Sequence, residues 1–194
     1  MAATKIVTDF NPVNCTDLEV GGVNGVAYGI NYADWLTATI TADAVTGAIS
    51  AVVLTESGSK AVKYSLTRGG IPTAVEAAIN NGGKSGFLHS VPMFLPTKDD
   101  ALRQEIVTKL NFGRMIWIVV LDSGIVAQVF GNDVGLALTA FTEANVDPAK
   151  GGGFDATFST PADVTSENLP PVEFFVTDRA TTLAALETLL TPVV

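Results

Sequence analysis

The chain has 194 residues, 47% of them apolar and only 16% charged, with a formal net charge of −9. That apolar share and a positive mean hydropathy exclude a disordered chain and allow one domain, residues 1–194, with a sizeable core. Charge falls well below the roughly 25% usual for globular chains, so the surface must be Thr, Ser, Asn and Gly, or be covered by partners. The charge is also uneven. Residues 1–121 carry ten acidic and nine basic side chains, whereas residues 122–194 carry ten acidic ones against Lys150 and Arg179. Such a segment repels phosphates, which disfavours a nucleic-acid reader but suits a surface past which DNA slides without sticking.

In chain order, residues 4–10 form a short leading strand or an arm. Glycines 21, 22, 25 and 29 read as loops and tight bends around short strands. Residues 35–41 read as a strand, with Leu36, Ala38 and Ile40 alternating against Thr37, Thr39 and Thr41. Residues 48–55 and 60–67 read as a hairpin across Glu56-Ser57-Gly58-Ser59, Val62, Tyr64 and Leu66 pointing one way and Lys63, Ser65 and Thr67 the other. Pro72 suits the first turn of a two-turn helix over 72–79, which Asn80-Asn81-Gly82-Gly83 stops. Residues 87–95 are strand-like, and Pro92 marks an edge or a bulge.

An amphipathic helix is expected over 98–110. Thr97 is its N-cap with Asp100 three residues on, and Leu102, Ile106 and Leu110 give an apolar stripe. It feeds the densest apolar stretch, 114–130, in which two β-branched and aromatic runs flank Asp122-Ser123-Gly124. This is a central β-hairpin, and the unbroken apolar run 115–121 requires cover on both faces. That run is far short of the ~20 residues of a membrane helix. Strands follow over 136–141, 154–159 and 172–176. In the second of these Phe154, Ala156 and Phe158 alternate with Asp155, Thr157 and Ser159. A long turn over 143–153, with Asp147-Pro148 and three glycines, and a loop over 160–171 separate them. Residues 178–190 form a terminal helix. The fold class is mainly β (α+β): a two-sheet sandwich or barrel-like domain with one packed helix and a C-terminal helix.

No motif defines a chemistry. Residues 78–85 end in Gly83-Lys84-Ser85 and satisfy a relaxed phosphate-loop spelling. That chemistry needs a strand before the loop and a helix after it, and residues 86–92 are poor helix material. Asp122-Ser123-Gly124 spells an aspartic-protease tripeptide, but no second copy supplies the paired carboxylate, and a hairpin turn explains the same letters. His89 and Cys15 are single in the chain and read as packing residues, so no disulfide framework applies. Asn132-Asp133 and Asp147 lack the spacing of a calcium loop. Asn14-Cys15-Thr16 spells a glycosylation acceptor, but no signal peptide is visible at the N-terminus. The sequence therefore assigns no catalytic, cofactor-binding or metal-binding residue, and the protein reads as a non-enzyme.

The succession Phe130-Gly131-Asn132-Asp133, then Gly135-Leu136-Ala137-Leu138-Thr139, then a Gly-rich turn and Phe154-Asp155-Ala156-Thr157-Phe158-Ser159 is similar to the end of structural proteins in phages of gut Bacteroidetes, including the crAss-like group. The order of elements, with one helix between two sets of strands, resembles tail-tube proteins of tailed bacteriophages and the tube protein of type VI secretion. The resemblance implies a virion component assembled in the host bacterial cytoplasm. It would be a tail-tube subunit or head–tail connector ring, a hexamer or dodecamer that contacts adjacent virion proteins. DNA would pass through it without specific binding, and no membrane is involved. The alternatives are a capsid decoration or adhesion module, and a nucleotide-binding enzyme using Gly83-Lys84-Ser85.

Overall fold

The computed structural model describes residues 25–65, 74–79, 85–95, 113–121, 126–143, 154–161 and 166–194. Among the described residues eleven strands and two helices follow in order: β1 (Val26–Asn31), α1 (Tyr32–Thr37), β2 (Thr39–Ala42), β3 (Ile49–Val53), β4 (Val62–Ser65), β5 (Ala74–Ile79), β6 (Ser85–Leu95), β7 (Arg114–Val120), β8 (Ala127–Phe130), β9 (Leu136–Glu143), β10 (Phe154–Ser159), β11 (Val172–Phe174) and α2 (Arg179–Thr188). The architecture is mainly β with a C-terminal helix, as expected. The strands join in one mixed sheet ordered β2-β3-β11-β8-β7-β9-β10-β6-β5, with β1 lying between β7 and β4.

The expected hairpin is its centre. β7 and β8 pair antiparallel from Trp117↔Phe130 to Val120↔Ala127, and the tip at 122–125 lies outside the described residues. Met115 to Val120 are all buried, so the requirement for two covers holds. Alternation sends Met115, Trp117 and Val119 into one core and Ile116, Ile118 and Val120 into another. The first core is enclosed by the path β4-β1-β7-β9-β10-β6. Its two ends meet, because the Tyr64 hydroxyl on β4 donates to the Phe94 carbonyl on β6. This half of the sheet is therefore barrel-like. The second core lies outside it and is covered by α2 through Leu186 and Leu189, with Phe174, Ile49 and Trp35 at its sides. The helix expected over 98–110 lies outside the described residues.

α2 starts where the sequence places it. Asp178 is the N-cap, its carboxylate accepting from the Thr181 amide at 2.8 Å. Arg179 then donates to the Leu121 carbonyl at 2.7 Å, tying the helix start to the end of β7. In its last turn, Glu187 accepts from Tyr28 on β1 at 2.7 Å and pairs with Lys63 on β4. Asp178→Ala is expected to lower the thermal midpoint, and Asp178→Asn, which keeps the acceptor, to retain most of it; thermal denaturation followed by circular dichroism checks both.

Three expectations are corrected. Residues 35–37 are helical: Trp35 is buried and Leu36 is 65% exposed, because α1 turns the indole inward, where Nε1 donates to the Asn132 carbonyl at 3.2 Å. Residues 74–79 are a strand paired with β6 from Ala74↔Ser90 to Ile79↔Ser85. The helix-forming alanines there yield to a tertiary ladder. The strands of the 48–67 unit exist but do not pair with each other. β3 pairs with β2 and β11, whereas β4 pairs with β1. Pro92 lies opposite Thr157 of β10, and the chain on its other flank lies outside the described residues.

Candidate assembly interface

The sheet ends on β2, whose only described neighbour is β3. All four β2 residues are exposed. A natural edge strand is normally blunted by Lys, Pro or an inward charge, since its free N–H and C=O groups template another strand. β2 is short and its register shifts at Thr41/Ala42, but it carries no Lys, Pro or inward charge. From Leu36 to Leu54 the only charged residue is Asp43, and its carboxylate is turned onto its own loop, accepting from the amides of Val45 at 2.9 Å and Thr46 at 2.7 Å. Those amides hold the carboxyl below the usual carboxylate range. The loop also closes through Gly47 at φ 74°, so the β2–β3 hairpin is a defined turn, not a loose flap.

The same hairpin carries exposed apolar side chains. Ile40 stands on β2, Val45 at the tip is 93% exposed, Val53 at the end of β3 is 57% exposed, and Leu36 lies just before the hairpin. An apolar groove runs alongside, between Val52–Leu54 and Thr191–Val193, and no charged side chain lines it. This surface can pair backbone and bury apolar area. It offers no acid, base or nucleophile.

The residues singled out for chemistry are not brought together here. Asp122, Cys15, Gly83, Lys84 and Asp147 lie outside the described residues. The segment holding Gly83-Lys84-Ser85 joins two antiparallel strands, so it has the strand before it but is followed by a strand in place of the helix that phosphate binding needs. Among the described residues no group of three His, Cys, Asp or Glu is placed to hold a metal, and no helix is long and apolar enough to cross a membrane.

His89 and Asn132-Asp133 do meet, in a buried polar joint. At Gly131–Gly135 the chain leaves β8 and re-enters the sheet as β9, which pairs with the same strand, β7. Six side chains fasten this turn. His89 Nδ1 accepts from the Gly131 amide at 3.1 Å. Glu167 accepts from the amides of Asp133 at 2.8 Å and Val134 at 3.4 Å. Trp35, Tyr32 and Arg114 donate to the carbonyls of Asn132, Asp133 and Val134, and Asn168 binds the Asp133 carboxylate. Glu167 is the residue that sequence reasoning missed. It stands alone in a loop, and only its pairing with Phe87 across the sheet brings it to the turn. Compared with known proteins, the chain matches no family model, no curated protein and no solved structure.

Proposed function

We propose that this protein is a non-enzymatic structural component of a virion that assembles with copies of itself into a ring or tube of a phage tail or head–tail connector. The observation that carries the reading is the β2 edge: exposed, uncharged, apolar and held in a defined hairpin. On a chain of net charge −9, copies repel one another over most of the surface. The hairpin, with Asp43 its single charge, is where two can approach with the fewest like charges meeting. A strand added there extends the sheet, and a head-to-tail contact repeated around an axis closes into a ring. The acidic C-terminal stretch suits a channel wall that DNA passes without binding.

Size-exclusion chromatography with light scattering is expected to give a closed oligomer, and negative-stain images to show rings; a stable monomer at micromolar concentration overturns the reading. Trimers with no ring would instead favour a decoration or adhesion module. The double variant Thr39→Lys, Thr41→Lys tests the edge itself. Both sites are already exposed, so the fold should lose no more than about 0.5 kcal/mol. Lysines on an edge strand lose their water when another strand is added there, so assembly should weaken by about 100-fold or more. Unchanged oligomer mass in the folded double variant removes β2 from the interface.

A further inference from the structure

The turn at Gly131–Gly135 is held by groups whose protonation states its geometry dictates. His89 is 1% exposed, and its Nδ1 receives the Gly131 N–H. Nδ1 must therefore be an acceptor, and the proton of the neutral ring sits on Nε2. Nε2 is buried with no hydrogen bond of good geometry, and the Leu169 backbone lies near the ring. The edge of the ring meets Phe130 at 5.8 Å, and its own backbone is paired on both sides with Thr160, so the side chain has little room to swing away. A second proton would turn Nδ1 into a donor aimed at another donor, and would place a charge in a buried site.

We propose that the Gly131–Gly135 turn is an acid-sensitive clasp: protonation of His89 expels the turn from β6 and loosens the joint between β8 and β9 before the rest of the sheet opens. The titratable and charged groups gathered on the turn are Glu167 from the 166–170 segment, Asp133 of the turn itself, Tyr32 from α1 and Arg114 from β7. Neither Phe130 at the end of β8 nor Thr160 beyond β10 titrates. Burial pushes the His89 imidazole down to about 4, partly offset by the Leu169 backbone. A histidine depressed in the folded state supports the fold least at low pH. Its penalty begins as pH falls below the unfolded value near 6.5 and is complete below about 4. Glu167 works the other way. Burial raises its carboxyl, against the pull of the Asp133 and Val134 amides, so its own cost is relieved as pH falls through the raised value. The histidine opens the clasp and the carboxyl moderates it.

Amide hydrogen exchange at pH 7 and pH 4.5 tests this on the full chain. In the wild type, the Gly131, Asp133 and Val134 amides are expected to lose protection about tenfold or more relative to His89→Asn, whose side-chain oxygen keeps an acceptor that cannot be protonated. Amides of β7 should stay protected in both. Glu167→Gln, which removes the moderating carboxyl, should deepen the loss. Equal loss in wild type and His89→Asn overturns the proposal, as does a Glu167→Gln variant that loses nothing. The chain holds one histidine, so its ring resonance is unambiguous if His89→Asn fails to fold. The Gly131 amide shift should then titrate together with that resonance in the wild type, and independent titration overturns the clasp.

Discussion

Replacing Trp117 by alanine is expected to lower the unfolding free energy by about 4 kcal/mol, and replacing it by phenylalanine by about 1–2 kcal/mol. Trp117 is fully buried in the first core, tilted against Phe158 with ring centroids 5.1 Å apart. Alanine there leaves a cavity between strands that cannot collapse onto it, because β1, β8 and β10 are pinned by their own ladders. Phenylalanine keeps most of the volume and gains on a second count. The indole N–H is buried with no hydrogen-bond partner among the described residues, so the substitution removes a polar group that folding leaves unsatisfied. Urea denaturation followed by circular dichroism measures both. A phenylalanine variant as damaged as the alanine one would show that the indole N–H is bonded after all. Gly29 belongs to the same site. It pairs with Trp117 across β1 and β7, and a Cβ there would lie 2.8 Å from the indole. Gly29→Ala should therefore be milder in the Trp117→Phe background than in the wild type, which a double-mutant cycle detects.

Gly135→Ala is expected to cost about 3 kcal/mol, and Gly47→Ala only about 1 kcal/mol. Both glycines sit at positive φ, 71° and 74°, so both variants bear the left-handed penalty of an L side chain. At Gly47 a Cβ meets nothing within 4 Å, whereas at Gly135 it would press on the Tyr32 ring at 2.9 Å and on Arg114 at 3.0 Å. Those two side chains also bond the turn carbonyls, so neither can move without releasing one. The difference between the two variants, read from urea midpoints, isolates the steric share. Equal costs would mean that the joint gives way freely.

How much of this was legible beforehand depends on where the causes lie. The 114–130 hairpin could be read because its signal is local: two β-branched runs, and no polar residue to spare for a wet face. The alternation of Phe154, Ala156 and Phe158 is equally local, and the structure buries all three. The α2 boundary rests on one aspartate. Pairing partners are a different matter. β3 and β4 follow each other and look like two arms, yet β4 belongs to β1 and β3 to β2 and a strand more than a hundred residues later. The Asp43–Gly47 turn marks the β2–β3 hairpin locally, but nothing near β3 or β4 points to β11 or β1. β1 itself was hidden by Gly29, which reads as a bend but is a strand position kept bare for an indole. At the candidate interface, the sequence shows a single charge, Asp43, over 36–54, but only the sheet order shows that this stretch is an edge. For the joint at Gly131–Gly135, the glycines marked a turn, whereas His89 reaches it from β6 and Glu167 from a distant loop.

The parallel contact of β11 with β3, Phe174 beside Ile49, has a consequence for how the molecule comes into being. Chain at β3 waits for chain made more than a hundred residues later, because the second core lacks Phe174, Leu186 and Leu189 until that later stretch has left the ribosome. Until then β3 has an open side as well as its hairpin partner, and β2 has one too. Contacts of such sequence separation form slowly, over milliseconds to seconds in small β proteins, and leave sticky edges on display meanwhile. Nascent chains crowded on one message would therefore meet through the same strands that the finished protein is proposed to use, and yield in a cell should fall as synthesis is accelerated.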